Sequence, residues 1–227
     1  MKAVLRSFHQ LAPEVRHFDF EVPEVTSLPF LPGQWVSFVH EIQGKEITRA
    51  YSICSPPDGN RFSLCLNLVH DGHLSPFLFS LQVGESVDMT GPPLGTFTIR
   101  HPHRDKILVA TGTGIAPFRS IILNEAGRDH AYTTLIFGVR YEENLLYRSE
   151  WEAIRDPRFD FRPTLSRPLP SWPGRTGHVQ PHLLEAIGNR RDLDVYVCGL
   201  ELMVDDVRAQ LKALGFDRRQ IVYEKYD

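Results

Sequence analysis

The sequence is poor in several things, and each scarcity narrows the reading. Only three cysteines occur in 227 residues, Cys54, Cys65 and Cys198, and they stand far apart. They form no CxxC pair, no zinc spacing and no cluster-binding run, so a reduced thiol state is the default and no metal centre is expected. No apolar run approaches the roughly 18 residues of a membrane span. The opening MKAVLRSFHQLAPEV has neither a long apolar core nor a small-residue cleavage site, so no leader peptide is expected and the location implied is cytoplasmic. Charge of one sign is scarce as well: 25 Lys and Arg against 28 Asp and Glu give a net −3. That balance argues against a broad nucleic-acid surface. No internal repeat or low-complexity tract is visible. What remains is an ordinary apolar share of 42%, enough for a sizeable core in one large domain or two small ones.

The pattern changes halfway along. From Ala3 to Thr98, short apolar runs are broken by Pro, Gly and Asp: AVLRS, VRHFDFEV, WVSFVH, ITRAYSI, FSLCLNLV and SVDMT. Several alternate with period two, as where Arg16, Phe18, Phe20 and Val22 oppose Val15, His17, Asp19 and Glu21. This predicts an antiparallel barrel or sandwich. Ser75-Pro76 followed by FLFSL predicts one helix, ending near Val83-Gly84. The polar HPHRD, His101 to Asp105, reads as a linker, giving domains 1–102 and 103–227. Beyond it, strands and helices alternate. The strands are LVAT, TTLIFGV (Thr133 to Val139), FDFRPTL, DVYVCG (Asp194 to Gly199) and IVYEKY. The helices run from Ala116 to about Glu125, Glu143 to Ile154, near Pro181 to Ile187, and over ELMVDDVRAQLKAL to Gly215. Such alternation predicts a doubly wound parallel sheet, with ligands at the carboxyl ends of its strands.

Four features carry possible chemistry. KILVATGTGIAPFRS, Lys106 to Ser120, reads as a buried strand, a glycine turn and a helix. Its Gly112 and Gly114 permit a tight turn and close ligand approach, its free N–H groups favour an anion, and Pro117 suits a first helical turn. It lacks the full GxGxxG spacing, and any α/β protein has such turns. Arg49 and Tyr51 share one face of a strand, a cation beside a flat ring, which suits a planar anionic ligand or equally a surface Arg beside a half-buried Tyr. Asp71-Gly72-His73-Leu74-Ser75 leads into a helix start, an anion site or simply a helix capped by Ser75. Arg140, Arg167 and Arg175 fall at strand exits or in loops of the second half. They suit a phosphate monoester if they converge, and are solvated surface charge if they do not. Gly112, Arg140, Ser166 and Gly199 each follow a predicted strand and should share one rim.

Taken in order, RAYS, DGHLSPFL, VGESVDMTGPPLG, ATGTGIAPFRS, FGVR with Leu146-Tyr147 beyond it, LSRP, GRTG, VCG and the final YEKYD resemble the ferredoxin–NADP⁺ reductase superfamily. The resemblance covers essentially the whole chain and is nearest to the bacterial ferredoxin/flavodoxin–NADP⁺ reductases. It implies an FAD-binding β-barrel followed by an NADP(H)-binding α/β domain. Tyr51 would stack on the flavin, Ser52 would lie near its N5, and Arg49, with Ala50 in the same motif, would hold the pyrophosphate. Leu66, Asn67, Leu68 and Val69 would pass the ribityl side, and Gly72, His73, Leu74 and Ser75 would bind the pyrophosphate. Thr113 would sit between flavin and nicotinamide. Gly112 and Gly114 would underlie the NADP pyrophosphate. Arg140, Ser166, Arg167 and Arg175 would serve its 2′-phosphate and adenosine. Cys198 and Gly199 would border the nicotinamide, though Cys198 could equally be an inert buried thiol. Glu224 would be a carboxylate near the flavin, and Tyr226 would cover the adenine or stack near the ring. The activity implied is hydride transfer between NADP(H) and FAD, with single electrons passed to a ferredoxin or flavodoxin by a monomeric enzyme. A flavin reductase or an oxygenase reductase would use the same fold, and a flavoprotein that binds nucleotide without turnover is the third reading.

Overall fold

Alternating side chains build the first sheet of the computed structural model, which describes residues 1–42 and 44–226. The strands are β1 (Lys2–Ala12), β2 (Val15–Glu21), β3 (Trp35–Ile42), β4 (Lys45–Ser52), β5 (Arg61–Asn67) and β6 (Ser86–Leu94). They form one antiparallel sheet in the order β4-β3-β6-β1-β2-β5. A bridge from Ile53 to Leu64, and the Cys54 N–H donating to the Ser63 carbonyl at 2.8 Å, bring the end of β4 to β5 and close the barrel. Phe18, Phe20, Phe38 and Phe62 are buried on the inner face. Phe20 meets Phe38 at 5.2 Å and Phe62 at 5.6 Å between ring centroids. Each such ring stabilises the fold by roughly 1.5–3 kcal/mol relative to an exposed one. β1 continues well beyond the expected AVLRS because its second half pairs with β2 through two register shifts. A single-sequence period cannot register such bulges.

Helix α1 (Leu74–Ser80) carries Pro76 in its first turn, as expected, and buries Leu74 and Leu78. It stops at Leu81, short of Val83-Gly84. Gly84, at φ +96°, turns the chain into β6 instead of ending the helix.

The second sheet comprises β7 (Lys106–Thr111), β8 (Thr133–Val139), β9 (Phe159–Leu165), β10 (Arg175–Thr176), β11 (Asp194–Leu200) and β12 (Ile221–Tyr226). All its pairings are parallel, in the order β10-β9-β8-β7-β11-β12. β7, β8 and β11 are almost wholly buried, as parallel strands covered on both faces must be. Along the chain, α2 (Ile115–Glu125) follows β7, and among the described residues α3 (Arg148–Ala153), α4 (Val179–Ile187) and α5 (Glu201–Ala213) alternate with the later strands.

The helix expected from Glu143 to Ile154 is broken. A 3-10 turn at Glu142–Asn144 precedes an irregular stretch, Tyr147 takes a left-handed φ of 57°, and only then does α3 begin. Leu145, Leu146, Tyr147 and Trp151 are all buried. Three consecutive residues fan around most of a helix, so a continuous one could not turn them all inward. The two-residue β10 was not expected, since it is too short to show a period.

The chain divides into two compact units, Met1–Thr98 with Ala116–Asn124, and Ile99–Ile115 with Glu125–Asp227. Most of α2 thus belongs with the first: Arg119 donates to the Cys54 carbonyl at 3.0 Å and Ser120 to the Ser55 carbonyl at 2.6 Å. The HPHRD segment lies wholly in the second. It is fastened there by the buried Asp194, which pairs with His101 at 2.6 Å and Arg104 at 3.1 Å. Among the described residues, no helix is long and apolar enough to cross a membrane.

Candidate functional site

In the first unit, the pairing of β4 with β3 sets Arg49 opposite Phe38 and Tyr51 opposite Val36. Arg49 is exposed and donates to the Thr48 carbonyl at 2.8 Å. Among the described residues no carboxylate pairs with it, so its fork is available to an anion. Tyr51 is half-buried against Phe38, 5.9 Å away, and burial pushes its hydroxyl up to about 12, so it remains a neutral phenol. Ala50 is exposed and Ser52 is buried at the strand end. Leu66 is buried in β5, Asn67 ends the strand exposed, and Leu68 and Val69 lie beyond it.

The loop into α1 folds tightly on itself. A Cβ on Gly72 would stand 2.9 Å from the Val69 carbonyl oxygen. His73 holds the N-cap position without a side-chain cap bond. Ser75 does not cap the helix. It is buried inside the first turn, where its Oγ accepts from the Val69 N–H at 3.0 Å. The side chain that was to cap α1 therefore clamps the preceding loop, and the first-turn N–H groups carry no side-chain cap. A guanidinium with no carboxylate partner among the described residues, a half-buried ring and uncapped N–H groups fit a flat ligand with a phosphate tail.

In the second unit the strand exits form one rim. The central β7 and β11 are neighbours, and chain order reverses between them, which marks the switch point where such sheets bind ligands. Gly112 to Gly114 form a 3-10 turn ahead of α2. Gly112 has φ +54° and open space where a side chain would stand. Gly114 is different: a Cβ there would lie 2.4 Å from the Cys198 carbonyl oxygen, so this glycine serves backbone packing. Gly199, at φ +141°, lies against Thr111, whose Oγ1 would be 2.2 Å from an added Cβ. That hydroxyl accepts the Leu200 N–H at 3.1 Å. Thr111 was missed in the sequence because it reads as the last residue of a strand.

β12 places Glu224 in register with Cys198 and Tyr226 with Leu200. Burial, with Glu224 nearby, pushes the Cys198 thiol well above its usual range, and a hydrogen bond from Tyr226 offsets this only in part. The group is a neutral thiol. Asp227 lies outside the described residues. Thr113 is on the glycine turn. Arg140 leaves β8, and its carbonyl accepts the Arg167 N–H at 2.9 Å, while the Ser166 N–H donates to the Val139 carbonyl at 2.9 Å. The structure thereby brings Arg140, Ser166 and Arg167 together. Both arginines are exposed, and among the described residues neither has a carboxylate partner. Gly112, with room for a ligand backbone, and these free cations fit a phosphorylated nucleotide. Arg175 does not join them; it is bound to Glu185 of α4. No local spacing signals that pair, because its partners lie on different elements. No cluster of His, Cys, Asp and Glu among the described residues is arranged to hold a metal.

Comparison with known proteins agrees with this division. The Oxidoreductase FAD-binding domain family matches residues 2–99, and the Oxidoreductase NAD-binding domain family matches residues 108–209. The chain is 38% identical to ferredoxin–NADP reductase B of Sorangium cellulosum, over 100% of this chain and 97% of that one. It is 32% identical to the toluate 1,2-dioxygenase electron transfer component of Pseudomonas putida, over 99% of this chain and 67% of that one. Among solved structures, the CS-b5R domains of human Ncb5or in the NAD⁺ form align with a TM-score of 0.87 at 28% identity, covering 98% of this chain and 68% of that one. A ferredoxin NADP⁺ reductase from Neisseria gonorrhoeae with bound FAD and NADP shares the fold, with a TM-score of 0.83 at 23% identity, over 99% of this chain and 98% of that one. With one unit built for FAD, the other for a pyridine nucleotide, and a relative matched end to end, the chain belongs to the ferredoxin–NADP reductase superfamily.

Proposed function

We propose that this oxidoreductase uses NADP(H) and exchanges electrons with a separate carrier protein, a ferredoxin or flavodoxin. The observation that carries the nucleotide choice is the pair of exposed, carboxylate-free arginines, Arg140 and Arg167, held side by side at the rim through the Arg167 N–H. Guanidinium forks match phosphate oxygens, and a 2′-phosphate is the one group that separates NADP from NAD. Bound FAD would supply the hydride chemistry and the exchange of single electrons. The chain's own part is to bind and orient. In this reading, Tyr51 offers its neutral ring face, Arg49 and the Gly72–Ser75 backbone hold phosphate, and Ser52 addresses the polar edge of the flavin ring. Leu66 to Val69 flank the ribityl chain. Gly112 leaves room for the nucleotide backbone, and Cys198 contributes shape and a weak S–H donor. The relative from Sorangium cellulosum supports the carrier assignment.

The likeness to a dioxygenase electron transfer component supports a second reading, in which the acceptor belongs to an oxygenase system. Two measurements test the proposal. Arg167→Ala should lower kcat/KM for NADPH by about tenfold, the worth of one charged hydrogen bond, with NADH little changed. Equal losses for both nucleotides would refute the 2′-phosphate assignment. Reduction rates with purified ferredoxin, flavodoxin and free flavin, compared at equal concentrations, then identify the acceptor. Fastest turnover with free flavin would refute the carrier-protein reading.

A further inference from the structure

A concavity of about 560 Å³ opens on β1, β2 and β5 of the barrel unit, beside the loop at 55–58. Small-molecule sites run from about 300 to 1,000 Å³. None of the residues given above to flavin or nucleotide lines it. On β5 it takes Arg61 and Ser63, whereas the residues given to the flavin begin at Leu66. One cross-strand row supplies acceptors. Ser7 stands opposite Asp19, and Asp19 opposite Ser63. The Asp19 carboxylate is already filled by donors: His17, and the hydroxyls of Ser7 and Ser63 at 2.5 and 2.7 Å. A hydroxyl has one proton and two lone pairs. Both protons go to Asp19, so these two serines offer the concavity lone pairs alone.

A second row supplies donors. The Nε atoms of Arg6 and Arg61 approach the same Glu21 Oε2, at 3.0 and 3.6 Å. Among the described residues the Nη groups of both arginines have no acceptor. Ser55 accepts the Ser63 N–H at 2.9 Å, and its own proton has no acceptor among the described residues. Asp58 is exposed, with neither an ion pair nor a side-chain hydrogen bond among the described residues. The charges balance. Arg6, Arg61 and the His17 imidazolium behind Asp19 meet three carboxylates, Glu21, Asp19 and Asp58. A ligand of one sign would upset that balance. A ligand with one charge of each sign keeps it, and each end finds unfilled groups of the opposite kind.

We infer that this concavity binds a small zwitterion of the amino-acid or short-peptide class, its carboxylate on the Nη groups of Arg6 and Arg61 and its ammonium on Asp58 and the Ser7 and Ser63 oxygens. The site is separate from the redox chemistry and does not rest on the NADP(H) reading.

The test is calorimetry on the flavin-loaded protein with three probes of similar size: alanyl-alanine, its N-acetyl form and its C-terminal amide. The first carries both charges, the second only the carboxylate, the third only the ammonium. Alanyl-alanine should saturate the protein with a Kd on the order of 1 mM or tighter. It should bind about tenfold tighter than either blocked form, the worth of one charged hydrogen bond. Arg61→Gln should weaken alanyl-alanine about tenfold and leave the amide unchanged. Arg6→Gln should do the same, so a failure of either variant to fold leaves the other to decide. Asp58→Asn should weaken alanyl-alanine and leave the N-acetyl form unchanged. Saturating NADP⁺ should change none of these affinities. The inference is overturned by the absence of saturable heat up to about 10 mM, by equal binding of the three probes, or by an affinity that neither the arginine nor the Asp58 variants move. Competition with NADP⁺ would place the peptide at the nucleotide rim and overturn it as well.

Discussion

Cys198 shows how much a residue's chemistry depends on where its side chain ends up. In sequence it is a thiol two residues before an exposed leucine, equally suited to chemistry or to packing. In the fold it has no exposure, with Glu224 beside it, and both burial and that carboxylate disfavour the thiolate. The expected outcome is that iodoacetamide at neutral pH leaves Cys198 unmodified in the native protein and alkylates it in urea, as read by peptide mass spectrometry. Rapid native alkylation would show an activated thiolate. The arginines carry the same lesson. Arg140, Arg167 and Arg175 are alike as letters, but among the described residues only the first two are without a carboxylate partner. The third is claimed by Glu185, a residue ten positions away on another element.

At the scale of elements, the glycine turn after β7 separates into parts that look identical in the sequence. Gly112 faces open space and Gly114 faces the backbone of β11. Gly114→Val should therefore act on stability first. The overpacking costs on the order of 1–3 kcal/mol, visible as a lower melting temperature with flavin content retained. Gly112→Ala bears only the strain of a left-handed residue, about 1–2 kcal/mol, while its methyl enters the open space that the proposed function gives to the nucleotide. Its larger effect should appear as weakened binding of NADP⁺ by calorimetry. If the two variants behaved alike, the division of roles within the turn would be wrong. Strands and helices themselves were largely legible, since periods of two and of 3.6 are local properties. The stretch before α3 was not, because its backbone bends to bury Leu145, Leu146, Tyr147 and Trp151 together, and burial is decided by neighbours far along the chain.

Across the first unit as a whole, one charge pair, between the buried His17 and the partly exposed Asp19, ties three strands. Asp19 of β2 accepts from His17 at 2.9 Å, from Ser7 of β1 at 2.5 Å and from Ser63 of β5 at 2.7 Å. Burial alone would lower the His17 imidazole, but hydrogen bonds with Asp19 and Cys54 outweigh it and raise the group from 6.5 to about 9. The hydrogen bond from His17 holds the Asp19 carboxyl far below its usual range. A raised histidine binds its proton more tightly in the folded state. Its contribution is thus complete below pH 6.5 and is lost as pH climbs through 9. The amount is on the order of 3 kcal/mol. The melting temperature should fall across that window, and His17→Gln should flatten the fall. An unchanged slope in the variant would place the titrating group elsewhere.

What the sequence determined by itself was the order of elements, the change from antiparallel strands to alternating strands and helices, and the string of motifs that marks the superfamily. These are written in contiguous residues, where side-chain period and turn chemistry act over a few positions. Only the tertiary structure decided that most of α2 belongs with the barrel unit, that the supposed linker is bolted to Asp194, that Ser75 clamps a loop and caps nothing, and that Glu185 holds Arg175. Each of these is a contact between segments far apart in the chain. The energy that selects such a contact comes from the partner found and the water lost, and neither is a property of the local sequence.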